Sequence, residues 1–248
     1  MRKARFPAYS FLLLLNVFLV TSSKHSMAEE KHLVVSKTAR YFIHGNASAK
    51  TREVWFIIHG YGQLAKYFIR HFSHFNPETH LVVAPEGLSK FYLEGTTPDS
   101  RIGATWMTKE DREAEIKDYV NYLDSLHDQV ISQLGKEVKV KVFGFSQGCS
   151  TLCRWVAYGK VQPKRMVMWA GTFPPDIDLK EFGSRFHGYE VDVVYGKQDE
   201  YLSWINAEEI TQWTEQAGID FRVTTFEGKH EIIREVLNKL LEIEQEAD

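Results

Sequence analysis

The sequence predicts an α/β fold, a mostly parallel sheet covered by helices on both faces with no large lid domain. Three observations carry that expectation. Apolar or β-branched runs alternate along the chain with segments of helical period, the rhythm of strands joined by crossover helices. Runs such as Val54-Trp55-Phe56-Ile57-Ile58 are apolar at every position, as strands buried on both faces must be. Polar, glycine-bearing turns follow these runs, at the carboxyl ends where open α/β sheets place their sites.

The elements follow in order. Leu33-Val34-Val35 and Arg40-Tyr41-Phe42-Ile43 read as leading strands that form an antiparallel edge pair. After Val54–Ile58, Leu64 to Phe75 reads as a helix and Leu81-Val82-Val83-Ala84 as a buried strand. Pro85 to Trp106 shows no clear element. Lys109 to Leu134 is one long amphipathic helix, with Ile116, Tyr119, Val120, Leu123, Leu126, Val130 and Ile131 on one stripe. Val138 to Phe143 alternates as a strand, and Cys149 to Tyr158 is a helix stopped by Gly159. Arg165–Trp169, Tyr189–Tyr195 and Phe221–Phe226 are further strands, Ser203 to Gln216 a helix, and a closing helix starts near Glu231.

Length and composition fit one enzyme-sized domain over residues 27–248 of a 248-residue chain. Hydrophobic residues make up 44% and charged residues 25%, as in ordinary globular proteins, so no disordered or fibrous class applies. A net charge of −3 gives no hint of a nucleic-acid surface, and no nucleic-acid partner is expected. Residues 1–26 stand apart. Arg2, Lys3 and Arg5 precede the apolar run Phe11–Val20 and then Thr21-Ser22-Ser23, the pattern of a secretory signal peptide, too short for a stable membrane span in the mature chain. The second reading starts translation at Met27 and leaves a cytoplasmic enzyme; the signal pattern favours export, and two unpaired cysteines lean the other way.

Gly144-Phe145-Ser146-Gln147-Gly148 lies between a strand and a helix. Strand, G-x-S-x-G, helix is a nucleophile elbow, a sharp turn that lifts a serine hydroxyl above the sheet. Glycines flank the serine because backbone segments approach too closely there for a side chain. Such a serine needs a base and an acid, in the chain order serine, acid, histidine. His230 falls just past the strand Phe221–Phe226, in Glu227-Gly228-Lys229-His230, and is the only histidine after His187. Asp199 falls just past the strand Tyr189–Tyr195, in Gly196-Lys197-Gln198-Asp199-Glu200; the adjacent Glu200, or Asp192 within the strand, are the alternative acids. His59-Gly60-Tyr61-Gly62-Gln63 is a flexible turn suited to aiming an N–H at a developing oxyanion, so Tyr61 and Gln147 are the expected donors. Without the elbow the same run would read as an ordinary strand-to-helix turn.

These motifs together resemble the phospholipase/carboxylesterase family of α/β-hydrolases, which includes acyl-protein thioesterases and small bacterial carboxylesterases. The resemblance rests on His59–Gly62, Gly144–Gly148, Gly196–Leu202 and Gly228–Ile232, with Ala104-Thr105-Trp106 similar to a tryptophan segment that walls the substrate cleft in that family. It spans about residues 54 to 233 and implies an α/β-hydrolase fold. Two positions depart from the family pattern: Gln63 stands where an aspartate is usual, and Lys229 separates Gly228 from His230.

The expected activity is hydrolysis of carboxylic esters, of EC 3.1 class, through an acyl-enzyme on Ser146 without metal or organic cofactor. The aromatic loop points to short or medium acyl chains or aryl esters. Phe91, Tyr92 and Trp106 are the expected substrate wall, with Phe173 and Trp204 contributing from later loops; the alternative is an aromatic cluster that only pins the loop. A thioesterase or lysophospholipase would use the same residues, because all three reactions pass through one kind of tetrahedral intermediate. A hydrolase-fold binding protein without catalysis is the expectation from another class, and the complete set of three side chains argues against it. His71, His74 and His80 approach metal-ligand spacing but lack an accompanying acid or thiol, so no metal site is expected. Cys149 and Cys153, four apart on one helix, are expected as two free buried thiols.

Overall fold

The computed structural model describes residues 28–186, 188–201, 215, 218–219 and 221–241. The helix expected over Ser203–Gln216 and the wall residue Trp204 lie outside the described residues. Residues 28–37 form no helix or strand, and Leu33, Val34 and Val35 are exposed. The leading strand expected there is therefore not formed: three apolar residues are too short a run to hold an extended segment without a paired neighbour.

The described residues from Thr38 onward group as one unit, built on a seven-stranded sheet. Its strands are β1 (Tyr41–His44), β2 (Glu53–Ile58), β3 (His80–Pro85), β6 (Lys139–Phe145), β7 (Arg165–Trp169), β8 (Glu190–Gly196) and β9 (Phe221–Phe226), with β4 (Ser89–Tyr92) and β5 (Ile102–Thr105) forming a separate pair. Spatial order is β1-β3-β2-β6-β7-β8-β9. Only β1 runs antiparallel, pairing with β3 from Tyr41↔Pro85 to His44↔Val82; the expected edge strand is present, with a different partner. The parallel register aligns the carboxyl ends of the inner strands: Ile58 faces Gly144, Phe145 faces Trp169, Trp169 faces Val194, and Gly196 faces Phe226. Each of the turns named above therefore leaves the sheet on the same edge.

The helices bounded by described residues are α1 (Ala65–Phe68), α2 (Arg112–Leu134), α3 (Gln147–Tyr158), α4 (Leu179–Phe182) and α5 (Arg234–Leu240). The expected helix from Leu64 to Phe75 is a single α-turn that tightens into a 3-10 turn over Ile69–Phe72. Phe68, Phe72 and Phe75 are nonetheless buried and pack in series, Phe68 against Phe72 at 6.2 Å and Phe72 against Phe75 at 5.6 Å. The loop Pro85–Trp106 holds a short hairpin, β4 (Ser89–Tyr92) against β5 (Ile102–Thr105). Sequence gave no sign of it, since Gly95, Thr96, Thr97 and Pro98 separate the strands by more than a tight turn.

Adjacent residues of β2 point to opposite layers. Trp55 meets Phe75 edge-on at 5.8 Å, and Phe56 meets Trp155 of α3 at 5.4 Å. Both residues are buried, which explains the unbroken apolar run: each face of the strand is covered. On β6, Phe143 contacts Phe72 at 5.0 Å and Trp169 of β7 at 6.1 Å. Trp155 satisfies its buried indole N–H on Asp124 Oδ1 of α2 at 2.9 Å, which locks α3 onto α2. Among the described residues no helix is long and apolar enough to cross a membrane.

Phe143 is wholly buried at the centre of this packing. Phe143→Ala is expected to lower the unfolding free energy by about 3–5 kcal/mol, since the aromatic ring leaves a cavity its neighbours cannot fill. Urea unfolding measures it, and a loss below about 1 kcal/mol would contradict the packing described.

Candidate active site

The turn between β6 and α3 is strained. Ser146 adopts φ 54° and ψ −120°, a conformation that costs an ordinary residue about 1–3 kcal/mol. The surroundings hold it there. The Ser146 N–H donates to Trp169 O at 2.9 Å, and a Cβ on Gly148 would stand 2.2 Å from Ile58 O. A Cβ on Gly144 would stand 2.6 Å from Gly148 O. Both glycines are therefore required by close backbone approach, as the motif suggests. Gly171 is equally constrained and was not singled out by the sequence: its Cβ would stand 2.6 Å from Cys149 Sγ.

His230 joins Ser146 to Asp199. Its Nδ1–H donates to Asp199 Oδ2 at 2.8 Å, and its Nε2 accepts from the Ser146 hydroxyl at 2.8 Å. The tautomer follows from the carboxylate, which can only accept. Asp199 is buried, and its second oxygen accepts the Tyr201 N–H at 3.0 Å. The ring of His230 rests between Phe145 at 5.1 Å and Tyr201 at 4.8 Å. A hydroxyl, an imidazole and a buried carboxylate bonded in series can pass a proton from oxygen to nitrogen while the new cation stays paired.

The turns that carry these two residues are bound to each other. Gln198 N–H donates to Gly228 O at 2.9 Å, Gly228 N–H donates to Gln198 Oε1 at 2.6 Å, and Lys197 N–H donates to Phe226 O at 2.8 Å. A Cβ on Gly196 would stand 2.3 Å from Gly228 O, so these backbones touch. The alternative acid Asp192 is committed elsewhere. It lies buried within β8, bonded to Arg165 Nε at 2.7 Å and to Arg222 Nε at 2.9 Å.

Tyr61 and Gln147 each present a backbone N–H with no partner among the described residues. A Cβ on Gly60 would stand 3.1 Å from Ser146 Cβ, so the turn after β2 lies directly against the serine. His59 anchors that turn. Its Nδ1–H donates to Gly60 O at 2.8 Å, and its Nε2 accepts the Gly87 N–H at 3.0 Å. Burial holds the His59 pKa down at about 4, against the opposing pull of its bond to Gly60 and the charge of Glu86.

The side chain of Gln147 has a second task that sequence reasoning missed. Its Oε1 accepts the Trp106 N–H at 3.2 Å and the Thr105 hydroxyl at 3.1 Å, and its Nε2 donates to Met107 O at 2.9 Å. The start of α3 is thus tied to the segment after β5. That segment also touches Arg154 of α3, whose Nη1 donates to Met107 Sδ at 3.3 Å. Arg154 and Arg112 both bind Asp176; burial would raise that carboxyl, but hydrogen bonds from the two guanidinium groups hold it at about 2.

A cleft of about 480 Å³ opens at Ser146, walled by Tyr61, Gln63, His71, Phe145, His230 and Ile232 among others. The expected wall residues are distributed differently. Trp106 is a core residue, its indole N–H donating to His59 O at 2.9 Å and its ring 5.1 Å from His59. The apolar bulk that suggested a wall serves instead to fix the turn after β2. Phe173 is buried against Phe186 at 5.3 Å and Phe221 at 5.7 Å. Phe91 lies 5.1 Å from the Tyr61 ring, and Tyr92 is exposed on the hairpin. His71 is a cleft residue that the sequence offered only as a metal ligand; His80 instead contacts the Thr79 hydroxyl at 3.0 Å. Cys149 and Cys153 are free and buried, and burial pushes both thiols above their ordinary pKa.

The profile of the protein family described as Phospholipase/Carboxylesterase matches residues 41–243. Among solved structures, the chain is similar to a carboxylesterase from Mesorhizobium loti, with TM-score 0.62 and 15% identity over 87% of this chain and 100% of that one. It is similar to acyl-protein thioesterase 2 from Zea mays, with TM-score 0.61 and 14% identity over 83% of this chain and 97% of that one. A carboxylesterase from Bacillus cereus gives TM-score 0.60 and 14% identity over 82% and 92%. At such identities the likeness is one of fold. No curated protein matches the sequence.

The buried His59 makes stability depend on pH. Its folded pKa of about 4 lies below the ordinary 6.5, so the unfolded chain binds more protons between those values. Its contribution is complete above pH 6.5 and is lost as pH falls toward 4, with burial of His71, His74 and His80 acting in the same direction. Urea unfolding at pH 7 and pH 4.5 is expected to show a difference smaller by about 2–3 kcal/mol in His59→Gln than in the wild type. An unchanged difference would mean that His59 is not held neutral.

Proposed function

This chain belongs to the phospholipase/carboxylesterase family of α/β-hydrolases, and we propose that it hydrolyses carboxylic esters through an acyl-enzyme on Ser146. The observation that carries the proposal is the series of two 2.8 Å hydrogen bonds from Ser146 Oγ through His230 to Asp199. In the first half of the cycle, Ser146 Oγ attacks the ester carbonyl carbon as its proton passes to His230 Nε2. Asp199 keeps the other ring nitrogen protonated and stabilises the imidazolium. The carbonyl oxygen becomes an alkoxide and accepts from the N–H groups of Tyr61 and Gln147; one such donor typically accounts for about 10²–10³ in rate.

Collapse of the intermediate breaks the bond to the leaving oxygen, which takes the proton from His230 and departs as an alcohol. Water then repeats the sequence on the acyl-enzyme: His230 accepts its proton, the hydroxide adds to the carbonyl, and Ser146 leaves with the proton returned. Every group in the cycle belongs to this chain. A cleft of about 480 Å³ with Tyr61, Phe145 and Ile232 in its lining is in keeping with short to medium acyl chains or aryl esters. Thioesters and lysophospholipids enter the same cycle with a thiol or a glycerol hydroxyl as leaving group.

Hydrolysis of p-nitrophenyl esters from acetate to palmitate tests the proposal. The wild type is expected to be fastest on short to medium chains and Ser146→Ala inactive. Asp199→Asn is expected to lose about 10³–10⁴ in kcat, because the imidazole would then be held in the wrong tautomer. Equal rates for wild type and Ser146→Ala would overturn the assignment, and a maximum at palmitate would favour lipid or acyl-protein substrates.

A further inference from the structure

A second cavity, of about 780 Å³, shares the wall residues Gln63 and His71 with the cleft at Ser146. Its lining combines the apolar Leu64 and Leu93 with Arg40, Lys66, Lys90 and Arg101. Among the described residues no carboxylate lines it. That concentration of positive charge departs from a chain whose net charge is −3.

The local charges do not cancel. Glu86, buried behind the cavity, binds both Arg40 at 2.7 Å and Lys90 at 3.4 Å, so one carboxylate serves two cations. Glu86 also accepts the Ala65 N–H at 3.2 Å, which fixes it at the start of α1. Arg101 pairs with the exposed Glu94. Lys66 has no acidic partner among the described residues and lies 4.6 Å from the Tyr67 ring. Four cations against two carboxylates leave two positive charges on a cavity next to the serine's cleft: Lys66, and Lys90, since the closer Arg40 takes up Glu86 and Arg101 is paired with Glu94. Concavity and low-dielectric walls strengthen such a field and draw anions toward it.

We propose that the substrate of Ser146 carries a carboxylate or phosphate, bound in this cavity by Lys66 and Lys90 with Arg40 and Arg101 beside them. The proposal rests on the ester-hydrolase reading of Ser146 and specifies its substrate as a small anionic ester. The anion can sit on the acyl chain or on the leaving alcohol; either presents the same charge to the cavity.

Two pairs of esters separate these sources. For the acyl side, p-nitrophenyl hemiglutarate is compared with p-nitrophenyl valerate, which has the same chain length and no charge. For the alcohol side, butyryl glycerol 3-phosphate is compared with monobutyrin by acid release. In at least one pair the anionic ester is expected to have a kcat/KM about tenfold higher at low salt, the selectivity that two half-exposed charge contacts supply. The preference is expected to shrink in 1 M salt, where charges are screened within about 3 Å. In the Lys66→Gln/Lys90→Gln variant the ratio is expected to fall toward one, through KM. Calorimetry with glutarate and with inorganic phosphate reads the same cavity without catalysis, and binding to the wild type is expected to be lost in the double variant. If neutral esters are cleaved as well as anionic ones and neither anion binds, this inference fails and the hydrolase reading stands. If no ester is cleaved, the hydrolase reading fails and the calorimetry alone decides whether the cavity binds anions. A preference that survives the double variant would also overturn the assignment.

Discussion

The position of Ser146 depends on how closely the turn after β6 can approach the end of β2. Backbone rests on backbone there: a single added methyl at Gly148 would stand 2.2 Å from Ile58 O. That contact sets the start of α3 against the end of β2, and the turn that follows β2 lies against the serine, where a Cβ on Gly60 would stand 3.1 Å from Ser146 Cβ. The Gly148 contact also forces the φ of 54° at Ser146, which is held by the hydrogen bond from its N–H to Trp169 O. The indole of Trp169 in turn donates to Glu231 O at 2.8 Å, next to His230. One steric constraint thus extends across three strands and reaches the histidine.

Around this centre, polar side chains hold loops rather than the sheet. Gln147 ties the start of α3 to residues 105–107, Gln198 ties the turn after β8 to the turn after β9, and His59 ties the turn after β2 to Gly87. Asp176 joins Arg154 of α3 to Arg112 of α2. The parallel register alone would bring the functional turns only to the same edge. These bonds reduce the remaining freedom to the geometry in which the Ser146 hydroxyl and the His230 ring meet at 2.8 Å. Proton transfer of the proposed kind needs that degree of positioning, since small displacements of reacting groups cost rate steeply.

Much of this was legible in the sequence where one physical cause acts on a short stretch. Strands buried on both faces must be apolar throughout, which made β2, β3 and β7 visible, and the elbow glycines answer to local sterics. Chain order and placement beyond strand ends sufficed to name Asp199 and His230, which the structure brings together with Ser146. The rest depends on contacts distant in sequence. Trp106 looked like a wall residue because aromatic bulk in a loop does not say which way it faces; its indole points inward to His59 O, 47 positions away. The β4–β5 hairpin escaped notice because its strands are short and half-exposed, and Leu33–Val35 looked like a strand because pattern alone does not supply a pairing partner. Gln147 appeared only as a backbone donor, since nothing local announces the partners its amide finds at residues 105–107. The cationic cavity is likewise assembled from four separate stretches, none of them basic enough to stand out.

The central claim is that Ser146 is a nucleophile activated by His230. Labelling with a fluorophosphonate, followed by peptide mapping, tests it without any assumption about the substrate. The account predicts a single adduct on Ser146, formed much more slowly in His230→Ala. A folded protein that takes no label, or that takes it on a residue other than Ser146, would contradict the account.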